Sequence, residues 1–304
     1  MFARRHPYLF ALLILSAIGA ATVIVLSLAV MHTADESEYA SLDGNRGAEK
    51  VGVVELTGII TDAREIVRQI RRFGEDDAIR AIVVRVDSPG GVVGPSQEIY
   101  REIRKTRERK KIVASMGAVA ASGGYYAVAG ADAIFANPGT ITGSIGVIME
   151  YTNFRALFQK IGLTPVVIKS GEFKDTGSPV RDMTPEEERM LKDFVDELHR
   201  QFVAAIAEGR QMDYDVVARL ADGRIYTGQA AQELGLVDQI GNLQDAIAWA
   251  GREAGIEGEI DAVYIPEKKL SLLRSLLESV IQDTLARLAR PQMRAGYIFA
   301  PSQD

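Results

Sequence analysis

One hydroxyl, Ser122, sits in a stretch of otherwise small apolar residues and glycines, Gly117–Gly124, reading Gly-Ala-Val-Ala-Ala-Ser-Gly-Gly. Glycine lets a backbone amide approach a ligand closely. A serine followed by glycine, at the head of the apolar segment Tyr125–Ala129, is the pattern of a nucleophile at a helix N-terminus. The first N–H groups of a helix lack intrahelical acceptors and can hold an oxyanion. The same stretch also suits a helix packed tightly on a neighbour, with Ser122 as an N-cap.

A serine nucleophile needs a base. The chain has no cysteine and only three histidines, His6, His32 and His199. His6 and His32 flank a long apolar run. His199 lies between Leu198 and Arg200 on an amphipathic segment, which suits a solvated or rim position. A Ser-His-Asp triad therefore lacks its middle member, and lysine is the known substitute. Lys105, Lys110 and Lys111 belong to a charge run typical of a solvated helix face. Lys169 and Lys174 bracket a turn, Ser170–Phe173, that follows an apolar strand, where a lysine can be held and partly desolvated. That matters because an ordinary lysine, with a pKa of about 10.4, is neutral only about 0.04% of the time at pH 7. Burial that brings such a group to about 7–8 makes roughly a tenth to a half of it neutral. Asp175, beside Lys174, would work against this if the side chains met, so it is expected to point elsewhere. Exposed loop charge is the alternative reading for both lysines.

Other chemistries find no support. Gly-x-Gly-x-x-Gly, Gly-x-x-x-x-Gly-Lys and His-Glu-x-x-His are absent, and without cysteine there are no thiolate metal sites. No cofactor and no metal is expected. The net charge of −6 argues against nucleic acid as the main partner.

The elements that must position these residues alternate. Val51–Ile60 reads as a strand and Asp62–Arg72 as a helix. Ala81–Val86 is a buried-type strand ending in Asp87-Ser88-Pro89-Gly90-Gly91. Pro95–Arg109 is a charged helix, and Lys111–Met116 is the strand that delivers the chain to Ser122. Ala133–Ala136, Ile141–Met149 and Pro165–Lys169 read as further strands, with Asn153–Ile161 helical between the last two. This order implies an α/β fold with a largely parallel sheet covered by helices. The C-terminal half is mostly helical. Thr184-Pro185-Glu186-Glu187 is a capping box opening a helix to about Glu208. Ala230–Gly235 and Leu243–Ala254 are shorter helices, Leu270–Leu288 is amphipathic, and Pro291–Asp304 reads as a loosely held tail.

Tyr8–Met31 is uncharged, follows Arg4 and Arg5, and is long enough to span a bilayer as a helix with its N-terminus in the cytoplasm. A cleaved signal peptide is the alternative. The expected organisation is a cytoplasmic N-terminus and transmembrane anchor over residues 1–32, a linker over 33–50, a catalytic domain over 51–255, and a C-terminal segment over 256–304. The catalytic body would lie outside the cytoplasm.

Five motifs, in order, resemble short-form bacterial signal peptide peptidase A. They are Asp-Ser-Pro-Gly-Gly (87–91), Met-Gly-x-x-Ala-Ala-Ser-Gly-Gly-Tyr-Tyr (116–126), Thr-Gly-Ser-Ile-Gly-Val (142–147) and Lys-Ser-Gly-x-x-Lys-Asp-x-x-Ser-Pro (169–179). The last is Asp-Gly-Arg-Ile-Tyr-Thr-Gly (222–228), followed by Gly-Leu-Val-Asp (235–238). The resemblance implies a membrane-bound serine protease of the bacterial cytoplasmic membrane with a Clp-protease/crotonase-like fold of repeated β-β-α units. It implies Ser122 as nucleophile, Lys174 as base, the N–H groups of Gly91 and Gly123 as oxyanion hole, and Ser144 as the hydroxyl orienting the lysine. It further implies apolar peptides, the remnants of signal peptides, as substrates, and a homo-oligomeric ring in which Ser122 and Lys174 come from neighbouring subunits. A crotonase-type acyl-CoA enzyme and a non-enzymatic membrane scaffold are the competing readings.

Overall fold

The structure is a computed structural model and describes Tyr8, residues 49–265 and residues 295–298. Among the described residues, every strand and the helices named below belong to the unit that begins at Glu49. In chain order it runs β1 (Lys50–Thr57), α1 (Arg64–Glu75), β2 (Ile79–Ser88), β3 (Gly90–Val92), α2 (Val93–Thr106), β4 (Lys111–Ala121) and α3 (Gly123–Val128). There follow β5 (Ala133–Ala136), β6 (Ile141–Gly143), β7 (Ile148–Met149), α4 (Arg155–Lys160), α5 (Pro185–Arg210) and α6 (Tyr214–Leu220). The remainder is β8 (Ile225–Thr227), α7 (Gly228–Glu233), β9 (Gln239–Ile240), α8 (Leu243–Glu253), β10 (Asp261–Tyr264) and β11 (Ala295–Ile298).

The main sheet has the order β10-β1-β2-β4-β5-β9, all parallel, with β6 and β8 attached beside the far end of β4. Its strands are apolar on both faces because both faces are covered. Ala81 and Val83 of β2, Val113 of β4 and Phe135 of β5 face α8, against Ala246, Ile247 and Ala250. Their neighbours Ile82, Val84, Ile112, Ala114 and Ile134 face the other way, into a larger core with Ile70, Phe73, Ile99, Ile103, Phe202 and Ile206 from α1, α2 and α5. This period of two is what a strand imposes on successive side chains.

β4 is the central strand, and it changes partners along its length. Lys111–Met116 pairs with Ala81–Val86 of β2. After a register shift Ala120 still pairs with Ser88 of β2, while on the other edge Val113–Met116 pairs with β5 and Val119–Ala121 with Ile141–Gly143 of β6. Asp87 supports the shift, its carboxylate accepting from the Val119 N–H at 3.2 Å. Thr142 Oγ1 donates to the Ala120 carbonyl at 2.7 Å. β4 therefore carries the whole Gly-Ala-Val-Ala-Ala run as strand and releases the chain at Ser122, at the C-terminal edge of the sheet.

Three expectations change. Ile141–Met149 is two short strands, because Gly143 and Ser144 both take positive φ and turn the chain. Pro165–Lys169 is no strand: among the described residues it has no ladder partner, and Ile168 is 96% exposed. The C-terminal tail contains β11, which lies antiparallel between β3 and β7 in a separate three-stranded sheet. The expected anchor (apart from Tyr8), the linker up to residue 48 and the amphipathic Leu270–Leu288 lie outside the described residues. Among the described residues no helix is long and apolar enough to cross a membrane.

Candidate active site

Ser122 is the residue between β4 and α3, with φ 52° and ψ −120°. A positive φ is costly for a residue with a Cβ and persists only where the surroundings enforce it. Here the Ser122 N–H donates to the Gly143 carbonyl at 2.8 Å, and its own carbonyl accepts from the Tyr126 N–H at 2.9 Å. The result is a sharp strand–turn–helix corner with Ser122 at its tip. The side chain makes no capping bond to α3, so the N-cap reading fails in its essential feature. The residue is 1% exposed, and the Gly123 N–H opens the helix. Behind it α3 is wholly buried, with the Tyr125 hydroxyl donating to the Leu236 carbonyl at 2.8 Å.

The Asp87–Gly91 turn sits against this corner. A side chain at Gly124 would come within 2.8 Å of the Ser88 carbonyl, which shows how closely the two turns approach. Ser88 is structural: its buried Oγ accepts from the Gly90 N–H at 3.1 Å. Gly91 is bridged to Ile60. The Ile60 N–H donates to the Gly90 carbonyl at 2.9 Å, and the Val92 N–H donates to the Ile60 carbonyl at 2.7 Å. Hydrogen-bonding groups alternate edges along a strand. The N–H and carbonyl of Gly91 itself therefore face the opposite edge. β11 lies along that edge, with Tyr297 opposite Gly91 and Gly296 opposite Val92. On its other side β11 pairs with β7, Ala295 opposite Met149 and Gly296 opposite Ile148. β11 also packs against α3.

Ser144 follows Gly143, the residue that accepts from Ser122. It has φ 49°, is nearly buried, and donates its N–H to the Arg224 carbonyl at 2.7 Å. The fifth motif thus acts as a brace: β8 pairs with β6, and the turn before it fixes Ser144. A cavity of about 630 Å³ opens beside Ser144, lined also by Val147, Ile148, Val195, His199 and Asp222. His199 is part-buried, and its Nε2 lies 2.8 Å from the Ala221 carbonyl. A carbonyl only accepts, so this nitrogen carries the proton and ties α5 to the end of α6.

Ser122, Gly123, Ser144 and the Gly91 turn are thus brought together. Lys174 is not. It is exposed, and among the described residues no hydrogen bond joins it to Ser122 or Ser144. With Val167, Ile168, Lys169, Ser170 and Asp175 it lines an open cavity of about 540 Å³. Its loop is held by an ionic cluster. Asp175 Oδ1 accepts from Lys169 Nζ at 2.7 Å and Arg181 Nη2 at 2.9 Å, and Oδ2 accepts from Arg181 Nε at 2.7 Å. Arg181 also donates to both oxygens of Glu187, at 2.8 and 2.5 Å. Glu187 is 3% exposed, closes the capping box with the Thr184 N–H at 2.9 Å, and accepts from Thr176 Oγ1 at 3.1 Å. Hydrogen bonds from Arg181 and the Thr184 N–H hold the Glu187 carboxyl down at about 2. Arg181 and then Lys169 likewise hold the Asp175 carboxyl far below the usual carboxylate range. Arg181 carried no signal in the sequence, since nothing local distinguishes it from any loop arginine. Lys110, expected on a solvated face, instead caps the end of α1, donating to the Phe73 carbonyl at 2.8 Å and to that of Asp76.

The parallel sheet covered by helices on both faces is of the Clp-protease type. Residues 49–140 match the Clp protease family model, and residues 104–257 match that of peptidase family S49. A Synechocystis protein named as a candidate protease is 44% identical over 223 residues, 72% of this chain and 80% of its own length. An Enterococcus faecium protein named as a candidate signal peptide peptidase SppA is 37% identical, over 72% of this chain and 67% of its own. The chloroplastic serine protease SPPA of Arabidopsis thaliana is 36% identical, over 67% of this chain and 30% of its own length. The chain belongs to peptidase family S49, among proteases of the SppA type.

Proposed function

We propose that this chain is a membrane-anchored endopeptidase that cleaves extended apolar peptides, with remnant signal peptides as the substrate class, through a Ser122–Lys174 dyad. The observation that carries this reading is the seat between β3 and β7. It accepts an extended segment antiparallel to both, against α3 and along the edge to which the Gly91 N–H points. A peptide bound by strand addition meets the same backbone groups, with alternate side chains in flanking pockets.

In the proposed reaction, neutral Lys174 takes the Ser122 proton and Oγ attacks the scissile carbonyl. The N–H groups of Gly91 and Gly123 hold the resulting oxyanion. Lys174, now protonated, gives its proton to the leaving amine, and water releases the acyl group by the reverse roles. The Ser144 hydroxyl accepts from Nζ and orients it. Lys174 is exposed and, among the described residues, makes no hydrogen bond to Ser122, which supports a lysine supplied by a neighbouring subunit of a homo-oligomeric ring. Exposed Val166, Val167, Ile168 and Phe173 around Lys174 support this, since they form an apolar surface that a neighbour would cover and that would withdraw the lysine from water. The body lies outside the cytoplasm, tethered by the segment Tyr8–Met31.

Mixed assembly tests the shared site. Ser122→Ala and Lys174→Ala chains are each inactive alone and recover a fraction of wild-type hydrolysis of a leucine-rich peptide when co-assembled. Mixed assemblies of normal size that remain inactive overturn the sharing. A Lys174→Ala enzyme with undiminished turnover overturns the dyad.

A further inference from the structure

The Lys174 loop carries a carboxylate directly beside the proposed base, and an uncompensated carboxylate there opposes neutral lysine. The structure surrounds that carboxylate with cations. Both Asp175 oxygens are engaged, by Lys169 and twice by Arg181, and the Asp175 main-chain carbonyl also accepts from Arg181 Nη2 at 3.1 Å. Arg181 spans from there to Glu187 in the first turn of α5. α5 in turn packs on the nucleophile's helix, its Phe202 ring 4.7 Å from the ring of Tyr126 on α3. A chain of direct contacts therefore runs from the loop of Lys174 to the helix headed by Ser122.

We propose that Arg181 is a positioning residue for Lys174: with Lys169 it compensates the Asp175 carboxylate and fixes the lysine's loop to the start of α5, so that the base can work in its neutral form. The inference rests on the reading of Lys174 as the base. The charged groups of the surrounding segments are Lys169, Glu172, Asp175, Arg181 and Asp182 on the loop, Arg155 of α4, which pairs with Asp182, and Glu187 of α5. Glu172 makes no ion pair among the described residues, but its carbonyl accepts from Lys169 Nζ at 2.6 Å. An isolated exposed ion pair has little effect. Here a planar fork serves two carboxylates at once, a geometry lysine cannot reproduce.

The test is the pH profile of kcat/KM for a leucine-rich peptide, whose acid limb rises as the base loses its proton. Arg181→Gln leaves the Asp175 charge poorly compensated, stabilises the protonated base and moves the limb up by about one pH unit, a loss of about tenfold at a pH on the limb. Asp175→Asn leaves Lys169 without its carboxylate and Arg181 with Glu187 alone, and moves it down. The double variant returns it near its wild-type position. A purely structural role would lower rates in both single variants without opposed shifts. An unmoved limb in folded Arg181→Gln, a shift of the same sign in both single variants, or a double variant that stays displaced overturns the inference. If Arg181→Gln does not assemble, Asp175→Asn decides alone, since an unmoved or raised limb is refutation. Lys174→Ala is measured beside them: its loss of turnover leaves the inference to stand or fall on the limb, whereas full turnover removes both the base and the role of Arg181.

Discussion

Replacement of Gly91 by alanine tests the oxyanion turn at its most constrained point. A Cβ there would lie 2.1 Å from the Ile60 carbonyl oxygen and 2.6 Å from the Ile60 N and C, all main-chain atoms that cannot swing aside. Restoring ordinary contact needs about 1 Å of separation. That movement breaks or stretches the two hydrogen bonds flanking Gly91, from Ile60 to Gly90 and from Val92 to Ile60. At about 0.5–1.5 kcal/mol each, the stability loss is about 1–3 kcal/mol. In a domain of this size that lowers Tm by about 2–12 °C. The catalytic loss is larger. One oxyanion donor contributes about 10²–10³-fold to kcat, and a displacement of about 1 Å forfeits most of it. KM should change little, because that bond strengthens only as the carbonyl becomes an oxyanion. Gly94→Ala is the control, since nothing lies within 4 Å of a Cβ there. The assay is steady-state peptide hydrolysis beside thermal melting and labelling by a serine-reactive probe. A Gly91→Ala enzyme that folds and retains kcat within about threefold of wild type refutes the assignment of Gly91 as an oxyanion donor.

Three further outcomes follow from the same geometry. Ser122→Ala should abolish probe labelling and lower kcat by about 10⁴-fold or more; labelling that persists places the nucleophile elsewhere. Removal of residues 291–304 should raise kcat/KM for short peptides by about two- to tenfold, mainly through KM, because β11 competes for the seat at high effective concentration; unchanged KM would mean that substrate binds elsewhere. The lowered Asp175 and Glu187 carboxyls contribute stability that is complete above the unfolded-state values of about 3.9 and 4.3 and is lost as pH falls, for Glu187 through about 2. Wild-type Tm should therefore fall more between pH 5 and pH 2.5 than that of Arg181→Gln, and equal falls would show that the cluster contributes nothing.

What proved legible in the sequence was local. The capping box at Thr184 and Glu187 forms as read, because a helix closes its hydrogen bonds within a few residues and its start is marked beside it. The buried runs of β2, β4 and β5 declare themselves by composition, and the small residues around Ser122 mark a tight strand-to-helix corner. The shortage of histidine left lysine as the candidate base. The partnerships were not legible, because a strand is completed by an edge distant in the chain. Pro165–Lys169 has the composition of a strand but no edge in the described chain, whereas Ala295–Ile298, read as loose tail, has two. The change of partner along β4 and the positive φ angles of Ser122 and Ser144 arise only when three separate turns close on one another. Arg181 acquires its role in the same way, by reaching Asp175 and the buried Glu187 together. The residue types thus bounded the chemistry, while packing decided which backbone groups and charges surround the serine and the lysine.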